Sequence, residues 1–482
     1  MSSYRQLPVN LTAYALFMKT NRADEPMNVV INDFSRKERL NHTQIDALQE
    51  ARTKPSQSEI FNFNTQNYNN SYNATNSLLR TNTQTKTLKI ALVTETWVPE
   101  INGVAHSIYQ LANGLKANGH SLILVRPEQQ SITADSPAEH TMLVKGFAIP
   151  RYNTLQFGAP AYSRLKEFFK QHKPEVVHIV TEGPLGLAAL FAARKLGIPV
   201  TSGFHSPFHE FSRYFGLGYL LTPIISYLRY FHNRTDITCV PSEKTVGQLH
   251  DMGINRLSVV SRGVNIQQFN PTHRSQPLRQ SWGAGEQTTV LLYVGRLSPE
   301  KNIDLVIAAY RELQAEQSFR AVRLVLVGDG PERARLERLG SDIIFAGMQT
   351  GETLSQYFAS ADVFVFASQV ETFGNVVPEA MASGLPVLAF NDAAAGQLVN
   401  SGQSGWLCGL NDEWQFKQLA AGLPKQIELQ VMGKRACMRV QQMGWQHAVA
   451  QFEQVLGKVI QQKQSSESLN SVQAITKQEI KS

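Results

Sequence analysis

Apolar and polar positions along the chain fall into two repeating series. Lys89-Ile-Ala-Leu-Val-Thr94 is a short, nearly unbroken apolar run, the pattern of a strand buried on both faces of a parallel sheet. Similar runs recur at Ser121–Arg126, Val176–Val180, Pro199–Ser202, Ile237–Val240 and Leu257–Val260. Segments of helical period separate them, among them Val104–Ala117, Tyr162–Gln171 and Leu185–Leu196. A second series runs through Val290–Val294, Arg323–Val327, Asp342–Phe345, Val363–Phe366 and Pro386–Phe390. This alternation predicts two open α/β units, joined by the Pro-, Gly-, Asn- and Gln-rich stretch Gly263–Gly285. Residues 55–88 lack any such pattern. With Asn62, Asn64, Asn67, Asn69, Asn70, Asn73, Asn76 and Asn82 among Ser, Thr and Gln, they offer little to bury and are expected to be disordered. Residues 1–54 lack the basic, apolar and small-residue succession of a secretory signal. The polar stretch after Gln461 is expected to fray.

The totals narrow the class. A chain of 482 residues is too long for one core, and 42% hydrophobic with 9% aromatic residues suits a soluble protein. No apolar run is long enough to cross a bilayer. Cys239, Cys408 and Cys437 are scattered and odd in number, which argues against a disulfide framework or zinc site and fits a reducing, cytoplasmic setting. The net charge of +7 is uneven: residues 1–88 carry +3, residues 89–262 carry +5 and residues 263–482 carry −1. Nine of the twelve histidines also lie within 89–262. Such a first unit suits an anionic substrate or lipid surface, or simply presents a solvated basic face. Nucleic acid is not expected, because no arginine-rich run or aromatic-basic motif accompanies the charge.

In doubly wound sheets ligands bind beyond the carboxyl ends of the strands. After Val290–Val294 comes Gly295-Arg296-Leu-Ser-Pro-Glu300-Lys301-Asn302. There Arg296 and Lys301 place two cations beside a helix start, a setting for a diphosphate; a surface turn with ordinary charges is the plainer alternative. After Val363–Phe366 comes Glu371-Thr-Phe373-Gly374-Asn375-Val376, leading to Glu379 eight residues beyond Glu371. One carboxylate suits a sugar and the other a ribose diol, with Gly374 and the amides of Asn375 and Val376 as a helix start for phosphate. Capped or solvated glutamates are the alternative. In the first unit, Asn102-Gly103 can turn free amides toward a phosphate, or form a structural turn. His205 stands at the carboxyl edge of its strand, where it can hydrogen-bond a sugar.

Taken together, Asn102-Gly103-Val104, the His205 loop, Ser261-Arg262-Gly263-Val264-Asn265, Gly295-Arg296 to Lys301, Val327-Gly328-Asp329-Gly330-Pro331 and the Glu371/Glu379 pair resemble retaining glycosyltransferases of family 4 from Lys89 to about Ile460. The resemblance implies the α/β GT-B fold, two Rossmann-like doubly wound domains facing across a cleft. The extension is then 1–88, the acceptor domain 89–265 with a returning helix at about 444–460, the nucleotide-sugar domain 266–443, and the polar tail 461–482. It implies catalytic roles for His205, Glu371, Arg296 and Lys301, and donor contacts from Gly103, Arg296, Lys301, Gly347, Met348, Phe373, Gly374, Asn375, Val376 and Glu379. Within the family the Glu371–Pro386 run looks like GDP-mannose-dependent α-mannosyltransferases, and lipid sulfoquinovosyltransferases are similar. Asn265 departs from the family's usual Asp at that position.

The expected reaction moves a hexose, mannose from GDP-mannose, to an acceptor hydroxyl with retention, the acceptor being a lipid or glycolipid; a UDP-sugar donor is the alternative. Arg296 and Lys301 would take the leaving charge and the diphosphate itself the acceptor proton. No cofactor and no metal are expected, since no two Asp residues are separated by a single residue. A nucleotide-sugar epimerase or hydrolase, or a silent scaffold, are the rivals from other classes. A dinucleotide oxidoreductase is disfavoured, since no GxGxxG follows a strand. Peripheral contact with the inner face of a membrane would use the basic helix Arg164–Lys173 and the aromatic stretch Tyr219–Phe231. In the plainer reading Phe168 and Phe169 point into the core.

Overall fold

The computed structural model describes residues 86–100, 102–129, 136–149, 152–205, 221–316 and 321–479. The expected disordered extension therefore lies outside the described residues, save 86–88. The first lobe carries β1 (Lys89–Val93), β2 (Ser121–Pro127), β3 (His140–Val144), an antiparallel ribbon of β4 (Gly146–Ile149) and β5 (Tyr152–Gly158), then β6 (Val176–Ile179), β7 (Val200–Gly203), β8 (Ile237–Val240) and β9 (Leu257–Val259). Its main sheet runs β3-β2-β1-β6-β7-β8-β9, parallel throughout. The second lobe carries β10 (Thr289–Val294), β11 (Val322–Val327), β12 (Ile343–Gly347), β13 (Val363–Phe366), β14 (Val387–Phe390) and β15 (Gly405–Cys408), a parallel sheet in the order β12-β11-β10-β13-β14-β15.

Period-two alternation along β1 divides the first lobe's core between the faces of its sheet. Ile90 and Leu92 pack with Ile108, Leu111 and Leu115 of the helix Gly103–Ala117. Ala91 and Val93 pack on the other face with Leu165, Phe169, Leu185 and Phe231. Leu165 and Phe169 thus point inward from the helix Tyr162–His172, leaving Arg164 and Lys170 in solvent. A single larger core fills the second lobe. The chain then returns. The helix Trp445–Glu479 lays Trp445, Val449, Phe452 and Leu456 into the core of the first lobe. It crosses the helix Gly103–Ala117 so closely that a Cβ on Gly114 would lie 2.3 Å from a Val449 methyl. The stretch after Gln461, expected to fray, continues that helix to Glu479. A parallel bridge between Val264 and Gly444 holds the two interlobe crossings side by side.

The sheet order positions the site. In each lobe the order reverses next to its first strand, between β1 and β6 and between β10 and β13. Loops leaving the carboxyl ends of adjacent strands at such a switch point open a crevice. In the second lobe those loops are 295–302 and 367–375.

Candidate active site

The β10 loop is shaped by close backbone approach. A Cβ on Gly328, at the end of β11, would lie 1.9 Å from the Gly295 carbonyl oxygen, so only glycine fits there. The Tyr293 hydroxyl donates to the Arg296 carbonyl at 2.9 Å, holding the turn. Pro299 opens a short 3-10 turn, Pro299–Lys301, which Asn302 ends in the left-handed region at φ 49°. The helix Ile303–Glu316 follows, anchored by Ile303, Leu305, Val306, Ala309 and Leu313. Lys301 therefore emerges at the junction of turn and helix, facing the neighbouring β13 loop.

The two loops meet through charge. Lys301 Nζ lies 2.5 Å from Glu371 Oε1 and 3.4 Å from Ser368 Oγ. Glu300 turns inward instead, taking a hydrogen bond from the Ser298 hydroxyl at 2.6 Å, while its other carboxylate oxygen is buried without a partner among the described residues. Burial first, then the negative charges of Glu371 and Glu300, raise the Tyr293 phenol well above its usual range. Eight residues on from Glu371, Glu379 sits in the helix Val376–Ala382. Its carboxylate makes no hydrogen bond or ion pair among the described residues, and burial pushes its pKa up to about 8. A carboxylic acid so placed has an open requirement for donors.

Other expected residues fall around this centre. Gly374 takes φ 86°, turning the chain into the helix. Phe373 is buried; its ring joins the core while lining a cavity with Ser368, Glu371, Phe390 and Asp392, and its carbonyl accepts from the Ala394 amide at 2.7 Å. Asn375 reaches across the cleft, its side chain donating to the Gly103 carbonyl at 3.4 Å and toward the Ser107 hydroxyl at 3.3 Å. Val376 begins the helix. Gly347 ends β12 with φ 69° and accepts the Gly328 amide at 2.8 Å; beside it Met348 is 49% exposed. His205 follows β7, and its carbonyl accepts the Thr372 hydroxyl at 2.9 Å, so it stands next to the Glu371 loop. Both lobes thus contribute to one cleft.

Asn102 caps the helix Gly103–Ala117, its side-chain oxygen taking the amides of Val104 at 3.1 Å and Ala105 at 2.8 Å. The cap, which an Asn before an amphipathic run signals, uses those two amides and leaves the exposed Gly103 at the helix start. Two residues went unremarked as site members. Thr372 joins the lobes. Arg262, noted only as part of the hinge motif, donates from Nη2 to His205 Nδ1 at 2.6 Å. Burial and then Arg262 hold the His205 imidazole well below the usual histidine range.

With this geometry in hand, the chain was compared with known proteins. Residues 101–268 match the family model described as Glycosyltransferase Family 4, and residues 275–436 match Glycosyl transferases group 1. A GDP-mannose-dependent alpha-mannosyltransferase of Mycobacterium tuberculosis is 32% identical over 326 residues, covering 66% of this chain and 83% of that protein. A sulfoquinovosyl transferase of Arabidopsis thaliana is 28% identical, over 73% of this chain and 70% of that protein. Among solved structures, a sucrose-phosphate synthase from Thermosynechococcus elongatus superposes with a TM-score of 0.60 at 20% identity, over 77% of this chain and 99% of that one.

Proposed function

Because the chain belongs to glycosyltransferase family 4 and is a glycosyltransferase of the GT-B fold, we propose that it transfers mannose from GDP-mannose, with retention, to a hydroxyl of a lipid or glycolipid. The observation carrying this reading is the Lys301–Glu371 pair at the switch point of the second sheet, with Arg296 in the same loop as Lys301 and Glu379 in the helix that follows the Glu371 loop. Arg296 and Lys301 take the diphosphate, whose charge replaces Glu371 as the partner of Lys301. Glu379 accepts the two ribose hydroxyls and, in doing so, ionises. Gly347 and Met348 border the base, while Gly103, Phe373 and the amides of Gly374, Asn375 and Val376 close around the phosphates and sugar. The relatives that act with GDP-mannose support the donor, and the sulfoquinovosyl transferase supports a lipid acceptor.

In the transfer step the sugar–oxygen bond to the diphosphate breaks as the acceptor hydroxyl attacks from the same face. The leaving oxygen takes the acceptor proton, and Arg296 and Lys301 stabilise the charge that develops on it. Glu371, released from Lys301, faces the sugar, and His205 bonds one of its hydroxyls. Arg and Lys perform the neutralisation that a metal performs elsewhere, so no cofactor enters the scheme. Peripheral contact with the inner membrane face, supported by exposed Arg164, Lys170 and Lys173, would bring a lipid acceptor to the first lobe. Among the described residues no helix is long and apolar enough to cross a membrane.

The test is a donor screen. Released nucleotide and labelled product are measured for GDP-mannose, UDP-glucose and UDP-sulfoquinovose with a lipid extract, and the product anomer is assigned by NMR. An α-mannosylated lipid is expected; turnover with a UDP-sugar alone overturns the donor, and a β-linked product overturns retention.

A further inference from the structure

One cation in the cleft lacks an anion. Arg262 leaves β9 at the hinge, only 8% exposed, and forms no ion pair among the described residues; its side-chain hydrogen bond goes to His205 Nδ1. Burying an unpaired guanidinium is costly. Arg279 is paired with Asp362 at 2.9 Å, while Arg126, likewise buried and without an ion pair among the described residues, bonds the Pro127 carbonyl and the Gln129 side chain, each at 3.0 Å. Arg262 differs from both in aiming its guanidinium at an imidazole beside the Glu371 loop.

A guanidinium offers donors and no acceptor, and it stays charged at neutral pH; burial lowers Arg262 only to about 10. At 2.6 Å the bond to His205 requires that Nδ1 carry the lone pair, so the neutral ring must hold its proton on Nε2. Two other histidines of the same lobe face carboxylates instead: His120 Nε2 lies 2.9 Å from Glu453 and His232 Nε2 lies 3.3 Å from Glu182. At His205 burial and then the Arg262 charge disfavour a protonated ring, with His178 and His232 acting in the same direction. Gly203 completes the seat. A Cβ there would lie 2.2 Å from His205 Nε2, so the ring edge rests where only glycine leaves room.

We propose that Arg262 is a positioning residue for glycosyl transfer: it fixes His205 as a neutral, Nε2-protonated hydrogen-bond donor and prevents it from acting as a base. The proposal rests on the reading that places His205 beside the transferred sugar. It deepens that reading by assigning the tautomer and naming the group that imposes it.

Long-range 1H–15N spectroscopy of the full chain, histidine-labelled and with His205 assigned through His205→Asn, reads the tautomer in the wild type without relying on any variant at position 262. A protonated Nε2 and bare Nδ1 are expected; an Nδ1-protonated ring, or an imidazolium at neutral pH, overturns the proposal. A second arm compares Arg262→Met with Arg262→Lys for turnover and for GDP binding. The methionine variant is expected to mix tautomers and lose about 10- to 100-fold in kcat. GDP affinity should stay within about threefold, because Arg296 and Lys301 are intact, and lysine should restore most of the rate. Unchanged tautomer and kcat in Arg262→Met, or matched losses of kcat and GDP affinity, overturn the positioning role. If His205→Asn keeps full turnover, the placement of His205 at the sugar fails, an outcome distinct from a wrong tautomer.

Discussion

Replacing Glu379 by Gln isolates a carboxyl that makes no hydrogen bond or ion pair among the described residues. Burial pushes its carboxyl from 4.5 up to about 8, with no compensating partner among the described residues. Each pKa unit is worth about 1.4 kcal/mol, so the ionised form costs the unliganded fold at most about 5 kcal/mol. The sign follows from proton binding. The folded state binds the proton more tightly than the unfolded chain, so this stability is fully present below about pH 4.5 and is lost as pH rises to about 8. Glu379→Gln removes that dependence, and its melting temperature should rise relative to the wild type as pH climbs through that window. In the proposed scheme a ribose diol bonds the ionised carboxylate, so GDP binding should expel the proton. At pH 7.5 a group with a pKa near 8 is about three-quarters protonated. Calorimetry in buffers of different ionisation enthalpy should therefore show about 0.7 more protons released by the wild type than by Glu379→Gln. Replacing GDP with its 2′,3′-dideoxy analogue should weaken wild-type binding by about 10- to 100-fold, the scale of a hydrogen bond to a charged group, and should hardly affect Glu379→Gln. Equal proton release, or the same dideoxy penalty in both proteins, would refute the assignment of Glu379 to the ribose.

Three further expectations follow. Glu371→Gln breaks the 2.5 Å pair with Lys301 and should lower kcat by about 100- to 1000-fold in a nucleotide-release assay with little loss of GDP affinity; near-normal rates would reject any role for Glu371 at the sugar. With Arg296 and Lys301 proposed to meet the diphosphate, excess EDTA should leave turnover within about twofold of the untreated enzyme, and abolition restored by a divalent cation would contradict this. Arg279 is fully buried and joins Arg274 in bonding Asp362 at 2.9 Å. Arg279→Met strands part of that charge and should cost about 3–5 kcal/mol in urea unfolding; a change below 1 kcal/mol, about the worth of a surface pair, would show that the network matters little.

What could be read from the chain depended on how local the signal was. Strands buried on both faces, such as β1 and β10, declare themselves as unbroken apolar runs. β3 alternates exposed and buried positions at the sheet edge, and β15 is a four-residue edge strand opened by glycine, so neither carries that signature. The histidines of the first lobe looked like part of an anion-attracting surface, yet His120, His178 and His232 are buried. His232 bonds within a cluster of Ser202, Thr235 and Thr238, which no spacing along the chain announces. Arg296 and Lys301 stood out because cations at a strand-to-helix loop have a local physical meaning. The meeting of Lys301 with the Glu371 loop joins segments 70 residues apart, and the Arg262–His205 bond joins segments 57 apart. Such pairings follow from sheet order, which periodicity alone does not reveal. Asn102 shows the reverse case, a cap whose signal is wholly local: an Asn immediately before an amphipathic run.

The central claim is that a diphosphate-linked sugar lodges where Arg296, Lys301, Glu371 and Glu379 come together. It is tested most directly by the rate of nucleotide release from GDP-mannose, in the presence of lipid acceptor, for the wild type and for the Arg296→Ala/Lys301→Ala double variant. Two charge-assisted phosphate contacts are together worth about 3–6 kcal/mol, so the double variant should release nucleotide at least about 100-fold more slowly. Equal rates in the two proteins, or a wild type that consumes no nucleotide sugar from a full donor panel, would contradict the account.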